Sequence, residues 1–135
     1  MQFSNVSTVL AGVGNRLNLQ LQRDTQSYPK GATALMIAAG ESHSTIVERL
    51  LDLGAIADIQ DDEGWTALHV AAYYNRASIA LMLLQAGANP TIQDNVGQTA
   101  SDWAHRYHHS ESCAVFDAAM IQSLRLRLLR QKTHS

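Results

Sequence analysis

The chain holds a single cysteine, Cys113, among 135 residues. That excludes an internal disulfide and fits a reducing compartment. No apolar run approaches the ~20 residues that a helical bilayer span needs. The opening MQFSNVSTVLAGVGNR has a weakly apolar stretch with no positive charge ahead of it, a poor match to a secretory leader. A cytoplasmic protein is the expectation, with the nucleus left open. The short signatures of common catalytic sites are also missing, among them G-x-S-x-G, H-E-x-x-H and a phosphate-cradling glycine loop. Acids cluster at Asp58, Asp61, Asp62 and Glu63, but their spacing misses the calcium-loop pattern, so a solvated turn is expected. Neither an enzyme nor a cofactor or small-molecule substrate is indicated.

Acid is absent from the last fifteen residues, which carry Arg125, Arg127, Arg130 and Lys132. All twelve Asp and Glu precede them, against six Lys and Arg. The region after Gly97 contains neither Gly nor Pro, so nothing stops a helix running through Val115, Phe116 and Leu124 toward Arg130. Ile121, Leu124 and Leu128 fall on one stripe of that helix, while Leu126 and Leu129 point elsewhere. Three readings remain open: a cap on the rest of the fold, a pairing surface for a weak homodimer, or a contact with an anionic surface. Capping is preferred, and no nucleic acid is expected.

What the sequence does have is a period. Residues 64–96 open GWTALHVAAYYN; stepping back 33 residues reaches Gly31 and GATALMIAAG, and stepping forward 33 reaches Gly97 and GQTASDWAHR. Each unit reads as helix, tight turn, helix and loop. Thr33 and Thr66 stand at helix N-caps, where a hydroxyl satisfies free amides of the first turn. Ala38-Ala39 and Ala71-Ala72 are small enough to let neighbouring units approach. Ile46, Val47, Leu50 and Leu51, with Ile79, Met82, Leu83 and Leu84, recur at core spacing on the second helices.

A 33-residue period with a T-x-L-H-x-A core resembles the ankyrin repeats. The resemblance covers residues 3–120 and implies an all-α ankyrin repeat solenoid, with two full repeats (31–63 and 64–96) and partial capping repeats at both ends. Residues 3–30 would form an N-terminal cap helix and a long turn, whose extra residues precede Gly31. Residues 97–131 would form a C-terminal capping repeat with an extended basic helix, and 132–135 a tail. The third unit departs most: Ser101, Asp102, Trp103 and His105 replace Leu, His, an aliphatic residue and Ala. Its second helix reads as slipped by two or three residues. Only the second unit keeps the family's His, His69, which the resemblance implies is structural, tying Thr66 to the neighbouring turn.

One metal constellation calls for comment: His105-x-x-His108-His109-x-x-x-Cys113 puts zinc-type donors at helical spacing. A turn predicted at His108–Ser112 would break that shared face, so turn polar groups and a buried thiol are preferred, and no metal site is assigned.

The resemblance also implies a non-enzymatic protein–protein interaction module, an adaptor, inhibitor or regulatory subunit. It would bind a partner protein along the concave face of turn tips and first helices. Carried over by position, repeat one offers Lys30 and Glu41, and repeat two offers Asp62, Glu63, Trp65, Tyr73 and Tyr74. The third offers Asn95, Gln98, Arg106 and Tyr107. Trp, Tyr and Arg are the types enriched among interface hot spots, and the acids beside them imply a partner with an apolar knob flanked by Lys or Arg. The competing reading is that Trp65 merely covers the neighbouring turn. An oligomerising or anionic-surface scaffold acting through the basic C-terminal helix is the alternative.

Overall fold

The structure, a computed structural model, describes residues 31–133. The expected cap helix, the long turn and Lys30 lie outside them. All six regular elements among the described residues are helices: α1 (Ala34–Gly40), α2 (Ser44–Asp52), α3 (Ala67–Tyr73), α4 (Ala77–Gln85), α5 (Ala100–Arg106) and α6 (Ser110–Thr133).

They form three helix pairs on one ruler. Thr33, Thr66 and Thr99 are the N-caps of the first helices. Ser42, Asn75 and His108, again 33 apart, adopt positive φ in the tight turns. The second helices start at Ser44, Ala77 and Ser110. The third pair therefore keeps the register, which corrects the slip expected from sequence. The turn ends at His109 rather than running to Ser112. The physical reason lies in Ser112, which occupies the core position held by Ile79 one repeat earlier. It is fully buried, and its hydroxyl donates to Asn75 Oδ1 at 2.9 Å. A polar residue there hides the helical pattern without breaking it.

First helices stack on first helices (α1, α3, α5) and second on second (α2, α4, α6), giving two layers. The Ala pairs 38–39 and 71–72 are fully buried in the first layer, where a larger side chain would hold the helices apart. Leu50, Leu83 and Phe116, also one repeat apart, fill the space between the layers. Each unit thus buries its apolar face only against its neighbours, as a stacked repeat must.

The inner half of α6 closes the stack through Ser112 and Phe116. The outer half does not. From Met120 to Lys132 every residue is exposed, so the capping expected of this helix ends near Ala119. The helix runs to Thr133, two residues beyond the boundary expected for the last unit. No described helix is long and apolar enough to cross a membrane.

Candidate functional site: an aromatic and acidic groove

The first helices end, and the loops before them turn, along one face of the stack. There the side chain at each repeat position decides the surface. Repeat one carries Ala32 and Gly40 where repeat two carries Trp65 and Tyr73. The result is a step: two small residues beside a wall of rings. A groove of about 640 Å³ lies along that step, floored by Met36, Ile37, Gly40 and Val70 and walled by Trp65, Tyr73, Tyr74, Trp103 and Tyr107. Glu41, Asp61 and Glu63 add carboxylates to its lining.

The wall is one connected cluster. Tyr73 is its centre, with ring centroids 5.2 Å from Trp65, 5.0 Å from Tyr74, 5.9 Å from Trp103 and 5.2 Å from Tyr107. Trp65 and Trp103 are 5.6 Å apart, and the Arg106 guanidinium sits 5.4 Å over the Trp103 ring. These separations are those of favourable tilted and edge-on aromatic pairs. Tyr107 beside Tyr73 raises the Tyr73 phenol above its ordinary value of 10.0, chiefly by charge repulsion between the two phenolates.

Beneath the wall lies Asp94. Its Oδ2 accepts from both indoles, Trp65 Nε1 at 3.1 Å and Trp103 Nε1 at 2.7 Å. Its Oδ1 accepts from the amides of Val96 and Gln98. Among the described residues Asp61, the same position one repeat earlier, accepts only the amides of Glu63 and Trp65. Both carboxylates are buried, yet they titrate in opposite directions. Burial raises both; it prevails at Asp61, whereas at Asp94 the Gln98 amide, the Trp103 indole and the Val96 amide outweigh it. The expectation of a solvated acidic turn is thus corrected at Asp61, an acceptor folded into its own loop.

His69 fastens the wall from behind. The Thr66 amide donates to its Nδ1 at 3.1 Å, so the ring proton sits on Nε2, which donates to the Gln98 carbonyl at 2.9 Å. Burial lowers the His69 pKa from its ordinary 6.5, and protonating Nδ1 would expel the Thr66 amide. A histidine pKa below the unfolded value means stability fully present above about pH 6.5, lost as pH falls through the folded value. Chemical denaturation at pH 7, 6 and 5 should therefore show wild-type stability falling, with a flatter profile for His69→Gln. Equal acid sensitivity of the two proteins would remove His69 from this role.

Two side chains from the turns pin the ends of the first helices. Arg76 Nη2 donates to the Gly40 carbonyl at 3.3 Å, and His109 Nε2 to the Tyr73 carbonyl at 3.0 Å, each reaching back 36 residues. His109 is thereby engaged in the groove's framework. His105 Nδ1 donates to the Ser101 carbonyl at 2.8 Å, and burial pushes the Cys113 thiol up. The four residues of the suspected zinc set thus face different tasks, and no metal-ligating group of three converges among the described residues.

The residues expected from sequence divide accordingly. Glu41, Glu63, Trp65, Tyr73, Tyr74 and Tyr107 come together at the groove. Arg106 joins them over Trp103. Asn95 is engaged instead in joining two loops: its side chain donates to the Asp62 carbonyl at 2.7 Å and its amide to Glu63 at 3.0 Å. Gln98 serves through its backbone, under Asp94 and His69. Trp65 does cover the neighbouring turn, through Asp94, while also facing the groove. Trp103 was not among the expected residues. Its place four residues before Tyr107 and one repeat after Val70 could have signalled it.

A model of ankyrin repeats, in three copies, matches residues 4–94. The chain belongs to the ankyrin repeat family. Ankyrin repeats generally mediate protein–protein interaction and are typically non-enzymatic. The match begins ahead of the described residues and ends at Asp94. The α5–α6 pair lies beyond it, yet continues the ankyrin register without a break. No individual curated protein matches the chain.

Proposed function

We propose that this ankyrin stack is a recognition module, an adaptor, inhibitor or regulatory subunit, that holds a partner protein in the groove between the small-residue step of repeat one and the aromatic wall of repeats two and three. The observation that carries the reading is the wall itself. Five rings, linked centroid to centroid at 5.0–6.0 Å, form one side of the groove, and Tyr74 and Tyr107 remain half exposed. An aromatic surface already fixed by its own neighbours binds without a large ordering cost. The carboxylates along the groove select a partner with an apolar knob flanked by Lys or Arg.

Trp65 is too deeply tied to Asp94 to be a silent test position. Tyr74→Ala with Glu63→Lys changes two side chains at the groove and leaves the indole bonds intact. Affinity capture with the wild-type chain, followed by mass spectrometry, should yield a partner that the folded double variant loses at least 10-fold. Undiminished capture by that variant would place the interaction elsewhere.

A further inference from the structure

The outer half of α6 carries the chemistry that the groove selects. Ile121, Leu124 and Leu128 share one face of this helix, and all three are exposed. With 3.6 residues per turn, Arg127 falls on one edge of that face and Arg125 on the other. It is an apolar ridge flanked by cations. The groove is an apolar trough whose lining also carries the carboxylates of Glu41, Asp61 and Glu63.

The two cannot meet within one molecule. α6 is a single 24-residue helix, ~36 Å long, with no Gly or Pro at which to fold back. Its exposed half continues away from residues that close the far side of the stack. Helix-to-helix pairing is the weaker fit, because the ridge would then meet an identical ridge edged by the same arginines, and like charges face each other.

We propose that the occupant of the groove is the basic overhang of a second copy, so that the chain recognises itself head to tail. The ridge Ile121–Leu124–Leu128 packs on Tyr74, Val70 and Ile37, with Arg125 and Arg127 toward the acidic rim. This rests on the reading of the groove as a docking surface and adds the identity of what docks. Because ridge and groove are different patches, the contact is heterologous. Two copies exchanging overhangs close a dimer, and one-way contacts grow a chain.

Sedimentation equilibrium on full-length proteins tests this by complementation. Wild type is expected to self-associate, more weakly as salt is raised. Leu124→Gln/Leu128→Gln, which spoils only the ridge, and Glu63→Lys/Tyr74→Ala, which spoils only the groove, should each be monomeric. Mixed, they should form a 1:1 complex, since one brings an intact ridge and the other an intact groove. A monomeric wild type, self-association surviving in the groove variant, or a mixture that stays monomeric would each overturn the proposal. Capture of a different partner that is still lost with Glu63→Lys/Tyr74→Ala would then leave the groove standing as a docking surface and remove only the self-recognition.

Discussion

Asparagine at position 94 is expected to cost about 2–4 kcal/mol, while asparagine at the equivalent position 61 changes stability by less than about 0.5 kcal/mol. The comparison is informative because the two aspartates are one repeat apart and equally buried. Asn keeps an Oδ1 that can accept the loop amides at either site. At position 61 those amides are the only hydrogen bonds the carboxylate receives among the described residues. At position 94 the second oxygen, acceptor of both indoles, becomes an NH₂ that cannot accept. Two donors lose their partner, and an unsatisfied buried donor costs about 1–3 kcal/mol. The tryptophan emission of Asp94→Asn should shift, since Trp65 and Trp103 are the chain's two tryptophans.

The opposed pKa directions extend the comparison to pH. Asp94 lies below its ordinary 3.8, so its contribution is present above that pH and lost as pH falls through the folded value. Asp61 lies above 3.8, so its contribution is present below that pH and lost as pH rises through the folded value. At neutral pH the buried Asp61 charge is a cost, which is why Asn is tolerated there. Urea midpoints at pH 7 for the two variants would settle the matter: equal losses would contradict the assignment of the indole bonds to Asp94.

Gly64→Ala is the second large effect, about 2–5 kcal/mol. Gly64 has φ +80°, and a Cβ there would sit 2.7 Å from Asn95 Oδ1 and 2.8 Å from Asn95 N. The left-handed backbone costs a non-glycine residue about 1–2 kcal/mol, and forcing the loops apart adds about 1–3 kcal/mol. Gly97 is the control. It has φ +83° with nothing within 4 Å of the added Cβ, so Gly97→Ala should show the backbone cost alone, about 1–2 kcal/mol. Matching losses at the two glycines would mean that the loop contact through Asn95 is not tight.

Much of the fold was readable because the repeat writes it more than once. The threonine caps, the alanine pairs and the leucine core recur at 33 residues, and a local signal repeated in register resists local noise. What escaped were residues whose neighbours come from another repeat. Ser112 reads as a turn residue until Asn75 supplies the partner for its hydroxyl. Asp61 reads as a solvent-facing loop acid, because a carboxylate's burial depends on donors that fold over it. Trp103 looked like a departure from the pattern, yet it shares Asp94 with Trp65 and completes the aromatic wall. The overhang was legible as a helix but not as an unsupported one, since only the stack shows where support ends. The groove depends on a contrast between repeats, Ala32 and Gly40 against Trp65 and Tyr73, which a search for conserved register passes over.

The central claim is that the aromatic wall is where a protein partner sits. Its most direct test is a titration of the captured partner into the wild-type chain, followed by tryptophan emission. Both tryptophans stand at the groove, so occupancy should change the emission in step with binding. Glu63→Lys/Tyr74→Ala should raise the Kd at least 10-fold with the thermal melt unchanged. Binding at full affinity by that variant, or saturation of the wild type with no change in emission, would contradict the account.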